Sequence, residues 1–280
     1  MSGVPEASAF VDALTPALRQ AAAVARKLEG RVQNEPKSGE TTPAKQALTA
    51  ADIATQEALL GPLLQHFPDV SLEAEEDTPS AERFPEGRDA LVVIDPIDGT
   101  LHSYLGGEGP YAIMVGLAVA RRYQAALVAL PREGLFFSAV RGAGALFSRA
   151  AGPVRPARIT VDGSRVLVSH GMPEAVGERL RAGGLDVGPA CGGAVAVAPL
   201  LPGVRAGLRF APASEGVSIR GRIGALIAAE AGAVVRGAGG AFPDDLDTPA
   251  PVLAVAHHES DLPVLNDALR AAGLDDYILV

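Results

Sequence analysis

The chain of 280 residues has no tryptophan, one cysteine and three methionines, and aromatic residues make up only 4% of it. A single cysteine excludes an intramolecular disulfide framework and points to a reducing, cytoplasmic setting. Cys191 itself reads as a small buried residue rather than a nucleophile. Basic charge is also scarce: 24 lysines and arginines face 33 acidic residues, for a formal charge of −9. That balance argues against nucleic-acid or anionic-membrane partners. Long hydrophobic runs are missing. The longest uncharged apolar stretch, Tyr111 to Ala120, falls well short of the roughly 20 residues that span a bilayer and reads as a strand. The opening Met1-Ser2-Gly3-Val4-Pro5-Glu6 lacks the basic-then-apolar pattern of a signal peptide.

What is present is a core-forming composition built from small and aliphatic residues, with 48% hydrophobic content. This length accommodates one large domain or two compact halves. Apolar positions Phe10, Leu14, Leu18, Ala22 and Ala25 recur with helical spacing and predict a helix over Ala7 to Leu28. A polar segment, Asn34 to Thr42, precedes a second helix that carries Ile53, Leu59, Leu60, Leu63 and Leu64. Thr49 and Asp52 stand at its start with the spacing of a capping box. Strands are expected at about 90 to 94, 111 to 120, 123 to 130 and 135 to 140. Short turns at Arg121-Arg122 and at Pro131 to Gly134 suggest an antiparallel meander. Arg149 to Pro156, rich in Ala, Gly and Pro, is the best linker candidate. Beyond it, Val166 to Ser169, a helix near Pro173 to Ala182, Ala194 to Leu200 and a helix near Arg222 to Glu230 alternate in α/β fashion.

The most informative stretch is Asp95-Pro96-Ile97-Asp98-Gly99-Thr100, at the end of the apolar run Ala90 to Ile94. If Pro96 sets a turn and Gly99 lets the backbone turn again, the carboxylates of Asp95 and Asp98 converge, as hard ligands for a cation such as magnesium. The amides of Gly99 and Thr100 would then open a helix whose positive end holds a phosphate oxygen. The bland alternative is an ordinary strand end with Asp98 as a helix cap.

This hexapeptide resembles the signature of the inositol monophosphatase superfamily of magnesium-dependent, lithium-sensitive phosphatases. The resemblance implies a layered αβαβα sandwich of the inositol monophosphatase and fructose-1,6-bisphosphatase type, with α+β and α/β character. Its N-terminal half, residues 1–152, would carry the metal loops, and residues 153–280 would contribute substrate contacts. Leu72 to Asp77 lies where the family has a Gly-Glu-Glu segment, which makes Glu75 a metal ligand and Glu76 its neighbour. Leu48 to Asp52 resembles the family's Val-Thr-x-x-Asp element, whose aspartate reaches the second metal or its water. The implied metal ligands are therefore Glu75, Asp95, the Ile97 carbonyl and Asp98. Thr100, with Glu75 or Asp52, would orient the attacking water. Lys37 and Lys45 lie on the intervening segment, and neither matches a family position. Gly142 to Phe147 resembles the family's glycine-rich turn.

Downstream the chain departs from the family pattern. A Trp-Asp pair is expected before Glu230-Ala231-Gly232-Ala233, and counting back places Ile219-Arg220 there. Arginine has no lone pair for a cation, so a metal contact is lost at this position. Arg220 could replace one cation and bind phosphate, Glu215 could supply the carboxylate from a shifted loop, or catalysis could be lost. Arg209-Phe210-Ala211-Pro212 resembles the Arg-Phe-Gly-Pro of the bisphosphate nucleotidase branch, and Val168-Ser169-His170 resembles that branch's Ser-Arg-Ser-His strand end. Gly192 and Gly193 stand where the branch has Gly-Ser-Ser-Leu-Lys, without the lysine. Gly99, Thr100, Gly192, Gly193, Arg209 and Arg220 are thus the candidate substrate contacts. The expectation is hydrolysis of a small phosphorylated metabolite by a homodimer, and the alternative is a catalytically impaired homologue that binds metal and phospho-ligand.

Overall fold

The computed structural model describes residues 4–37, 43, 48–150, 152–159, 163–211 and 216–280. Lys45, Pro212 and Glu215 lie outside the described residues. Helix α1 (Ala7–Leu28) has the expected bounds, and it buries Phe10, Leu14, Leu18, Ala22 and Ala25. Helix α2 (Ala50–His66) starts at the Thr49 cap with the expected box: Thr49 Oγ1 accepts the Ala51 amide, and Asp52 Oδ2 accepts the Thr49 amide at 2.8 Å. These two helices pack together on one face of a seven-stranded sheet, where their leucines meet Val92, Ile94, Ile113 and Leu127. Burying one such leucine contributes about 2 kcal/mol, so this interface alone holds the outer layer firmly.

The sheet runs in sequence order: β1 (Ser71–Glu73), β2 (Ala90–Asp98), β3 (Ala112–Val119), β4 (Arg122–Leu130), β5 (Leu135–Val140), β6 (Gly144–Arg149) and β7 (Arg155–Pro156). Only β1 and β2 are parallel, and the rest is the meander expected from the short turns. The β3–β4 turn falls one residue earlier than expected, at Ala120-Arg121, both with positive φ. Two-residue hairpins favour this left-handed geometry, and Arg121 is braced there by Asp247 at 2.7 Å. The expected linker is partly strand, because Arg149 ends β6 and Arg155 pairs with Phe147.

A six-stranded sheet follows: β8 (Arg165–Ser169), β9 (Asp186–Ala190), β10 (Val204–Phe210), β11 (Val234–Gly237), β12 (Gly240–Ala241) and β13 (Val252–Ala256), in the order β12-β11-β13-β10-β8-β9. Between the two sheets lie the short helix α4 (Gly192–Ala196) and α5 (Ile223–Glu230), packed into one core with Met114, Val128, Leu253 and Val255. Ala194 to Leu200, which holds a strand's place in the expected alternation, is instead helical: it falls in α4 and a 3-10 turn at Ala198–Leu200, where Pro199 interrupts the α-helical bonding. On the outer face of the second sheet sit α3 (Glu174–Ala182) and α6 (Leu262–Ala271). The layers read helix, sheet, helix, sheet, helix, which is the αβαβα sandwich expected. Among the described residues no helix is long and apolar enough to cross a membrane.

Candidate active site

The Asp95 to Thr100 stretch is not a loop after a strand but the bulged end of β2. Asp95 pairs with Met114 and Asp98 with Ala112, so three steps on β2 match two on β3. Side chains alternate faces along a strand, which would put residues 95 and 98 on opposite sides. The extra residue restores them to one side: Val93 and Asp95 face the middle layer, while Ile94 and Ile97 pack into the α1–α2 core. Pro96 suits this position because it has no amide to give to the ladder. Gly99 follows at φ +88°, and a Cβ there would lie 2.7 Å from that of Cys191. The chain then makes a single π-type turn, Thr100–Leu105, in place of the helix expected.

Asp95 is the most constrained group of the site. It is 6% exposed, and its Oδ1 is buried with no hydrogen-bond partner among the described residues. Burial, then the nearby charges of Glu75 and Asp98, pushes its carboxyl well above the ordinary range. Arg220 reaches only Oδ2, at 3.9 Å, and leaving a buried carboxylate oxygen without a partner is costly, so the cluster calls for a further cation. Glu75 is held from behind: Gln56 Nε2 donates to the Glu76 carbonyl at 2.7 Å, and the Glu76 amide donates to Gln56 Oε1 at 3.0 Å. Lys37 Nζ is 2.6 Å from Glu76 Oε1 and 3.7 Å from Glu75 Oε1. Asp98 Oδ2 accepts the Gly193 amide at 2.5 Å. An orphaned buried carboxylate oxygen among three acidic side chains and the Ile97 carbonyl fits a hard divalent ion.

Asp52 and Thr100, far apart in sequence, meet behind this cluster. Asp52 Oδ2 accepts two bonds from Thr49, and its Oδ1 lies 3.0 Å from Thr100 Oγ1. Thr100 Oγ1 is also 2.8 Å from the Ile97 carbonyl. Burial pushes the Asp52 carboxyl up to about 6, against the pull of its Thr49 and Thr100 bonds. The capping box thus does more than start a helix, because it fixes the carboxylate that positions Thr100.

Arg220 approaches from the 3-10 turn Arg220–Arg222 that leads into α5, with Nε 3.9 Å from Asp95 Oδ2. Burial opposes its charge, but Asp95, Glu75, Glu73 and Asp98 outweigh that and hold the guanidinium above its ordinary value. Its neighbour Arg222 is tied to the Val217, Asp245 and Thr248 carbonyls and fixes the turn. Arg209, on β10, packs flat against Gly192 and Gly221, where a Cβ would run into its guanidinium. Its Nη1 is buried without a hydrogen-bond partner among the described residues.

These groups line one cavity of about 430 Å³: Glu75, Asp95, Ile97, Asp98, Gly99 and Thr100 on one wall, Gly192, Arg209 and Arg220 on another. Gly193 stands back from it and reaches it through Asp98. Cys191 is buried, accepts the Ala194 amide at Sγ, and has its thiol pushed well up by burial, as a packing residue should. Sequence reasoning missed Gln56, whose role depends on a contact across 20 residues, and the contribution of His102 to the cavity wall. The glycine-rich turn and the Glu230 motif meet each other instead of the cavity: Glu230 accepts the Gly142 and Gly144 amides.

The profile of the inositol monophosphatase family matches residues 10–176. Among curated proteins, the histidinol-phosphatase of Chlorobaculum parvum is 31% identical over 43% of this chain and 44% of its own length. The glucose-1-phosphate thymidylyltransferase of Streptomyces griseus is 33% identical over 40% of this chain and 41% of its own. The chain thus spans less than half the length of the curated relatives it matches. Among solved structures, the Thermotoga maritima IMPase superposes with a TM-score of 0.72 at 18% identity, covering 94% of this chain and 98% of that one. Mycobacterium tuberculosis SuhB does so at 0.67 and 24%, covering 96% and 99%. These likenesses establish the fold, and the profile match over more than half of the chain establishes the kinship. The chain belongs to the inositol monophosphatase family.

Proposed function

We propose that this chain is a magnesium-dependent phosphatase that hydrolyses a small phosphate monoester. The observation that carries the reading is Asp95 Oδ1, buried without a partner among the described residues and crowded by Glu75 and Asp98. Glu75, Asp95, Asp98 and the Ile97 carbonyl are the groups that would hold magnesium. When bound, the ion supplies charge neutralisation of the phosphate and acidification of a coordinated water. Thr100 orients that water, its hydroxyl held between two acceptors, Asp52 Oδ1 at 3.0 Å and the Ile97 carbonyl at 2.8 Å. The amides of Gly99 and Thr100 and the backbone at Gly192 face the phosphate. Arg220 contributes a permanent positive charge where the family pattern has an aspartate, and Arg209 offers its unpaired Nη1 to a second anionic group of the substrate. In this reading residues 1–152 supply the ion's ligands and 153–280 the substrate contacts. Two of the relatives support a phosphatase by their names: the histidinol-phosphatase already described, and an IMPase/NADP phosphatase solved with NADP and Ca2+, of like fold at a TM-score of 0.70.

Phosphate release, with magnesium and with EDTA, tests the proposal on a panel of inositol 1-phosphate, histidinol phosphate, fructose 1,6-bisphosphate, adenosine 3′,5′-bisphosphate and simple sugar phosphates. Turnover that EDTA abolishes supports it, and a preference for doubly anionic substrates supports the role of Arg209. The same Arg220–Asp95 approach favours a second reading, a catalytically impaired homologue in which the guanidinium balances the cluster and the chain only binds. That reading expects magnesium binding without turnover and activity gained in R220D. A cytoplasmic homodimer belongs to the proposal, and sedimentation of the purified chain reads its mass.

A further inference from the structure

We infer that His102, His170 and Glu108 form a second, separate cation site on the rim of the cavity, for a borderline divalent transition ion of the zinc class. The three side chains come from different pieces of chain: the turn after Gly99, the loop before β3, and the end of β8. Their donor atoms all lie within 4.8 Å of one another. Both Nδ1 atoms are 3.8 Å from Glu108 Oε2, too far for a hydrogen bond. No proton bridges these groups at that distance, and the gap they enclose has the scale of an ion's coordination sphere.

The tautomer of His170 sharpens the point. Ser103 Oγ donates its only proton to the Glu108 carbonyl at 2.9 Å, so at 2.9 Å from His170 Nε2 it accepts. The His170 proton therefore sits on Nε2, and Nδ1 presents a bare lone pair toward the Glu108 carboxylate. The two rings stack at 4.8 Å with 21° between planes, so both donors are already oriented. A ring nitrogen fixed by a hydrogen bond on its far side is the usual arrangement of a metal-bound histidine.

The donor set, two imidazole nitrogens and one carboxylate oxygen, suits zinc or its neighbours, whereas the all-oxygen Asp95 cluster suits magnesium. Closing to a tetrahedral shell with bonds of about 2.1 Å needs a shift of roughly 1 Å, which the exposed Glu108 and half-exposed His102 can make. Three protein ligands leave a fourth position open. His102 and His170 line the same cavity as Asp98 and Arg209. The rim ion can therefore meet whatever occupies that cavity, without sharing a ligand with the carboxylate cluster.

The test is calorimetric titration of the full chain with Zn2+ in excess Mg2+, together with the visible absorption of added Co2+. The inference expects one ion per chain at micromolar Kd or tighter, with an intense four-coordinate Co2+ band. Both should persist in D95N, should weaken about 10-fold or more in H102A and in E108Q, and should vanish in H102A/E108Q. Circular dichroism confirms folding of each variant, the buried D95N included; Glu108 is exposed and His102 half-exposed. Binding that is lost in D95N but survives in H102A/E108Q would place the ion in the carboxylate cluster and overturn the inference. So would the absence of micromolar binding by the wild type, which leaves an ordinary histidine–carboxylate cluster. Because D95N removes the proposed magnesium centre and not the rim site, failure of either proposal is distinguishable from failure of the other.

Discussion

Arg220 Nε lies 3.9 Å from Asp95 Oδ2, so the residue that replaces an expected carboxylate stands directly against the most buried carboxylate of the cluster. A fixed positive charge there does part of the work of a cation. If it also engages phosphate, R220A should lower kcat/KM by about 100- to 1,000-fold, within the range seen when one preorganised donor to a developing charge is removed. R220K should recover part of the loss, because lysine keeps the charge without the planar fork. Steady-state kinetics on the preferred panel substrate decides the matter, and faster turnover in R220D would contradict it.

Thr100 and Asp52 are separated by 48 positions and joined by one 3.0 Å hydrogen bond. Substituting either, as T100A or D52N, should reduce kcat by about 100-fold or more, consistent with a lost proton acceptor or water-orienting group. Magnesium affinity measured by calorimetry should change by less than about 10-fold in T100A, since its hydroxyl is not among the proposed ligands. A large loss of magnesium affinity in T100A would show that its hydroxyl supports the ion directly.

Gln56 closes a two-way bond with the backbone of Glu76 in a buried position. Q56A strands a buried donor and a buried acceptor, for a cost of about 2 to 4 kcal/mol in unfolding free energy. It should also weaken magnesium binding, because Glu75 loses the support behind it. Urea denaturation alongside a magnesium titration reads both effects, and unchanged magnesium affinity would remove Gln56 from the account of the site.

Burial raises two carboxyls near the cluster, Asp52 and Glu76, each to about 6. A raised carboxyl keeps its proton in the folded chain at pH values where the unfolded chain has lost it. Folding therefore takes up protons between about pH 4 and 6, and stability falls as pH rises through that window. For Asp52 the loss is roughly 3 kcal/mol. In EDTA, denaturation midpoints should fall from pH 4.5 to 6.5 more steeply for the wild type than for D52N. An equal slope in both proteins would contradict the assignment.

Gly99 combines a positive φ with contact against Cys191. G99A should destabilise the chain by at least about 2 kcal/mol, and G99A/C191G should recover only part of that, because the backbone strain persists after the collision is relieved. Thermal unfolding of the two variants separates the contributions.

The parts of the fold legible in the sequence are those whose cause is local. The α1 bounds follow from the apolar spacing at Phe10, Leu14 and Leu18, and the Thr49–Asp52 box marks the start of α2. The Asp95 to Thr100 motif could be read because its groups share six consecutive residues. What could not be read there was the bulge, since it exists only relative to the partner strand at Met114 and Ala112. Counting from Glu230 singles out Arg220, whose Nε lies 3.9 Å from Asp95 Oδ2, yet nothing local distinguished it from Arg222, which faces three carbonyls instead. Arg209 pressed on Gly192 and Gly221, Gln56 on Glu76, and His102 beside His170 are contacts between distant segments. Arg209 and His170 stand in short motifs that the sequence shows, whereas Gln56 and His102 are single residues with no motif around them, and none of these contacts is visible without the fold.

The central claim is that the cluster around Asp95 binds magnesium and makes this chain a phosphatase. Its most direct test is phosphate release from the panel by wild type and D95N, each shown to be folded, across a magnesium titration that starts from EDTA. The account expects wild-type turnover that is absent in EDTA, rises with magnesium to saturation, and falls to background in D95N. Turnover indifferent to EDTA, or equal in D95N, would contradict it, as would silence of the wild type toward every phosphate ester at saturating magnesium.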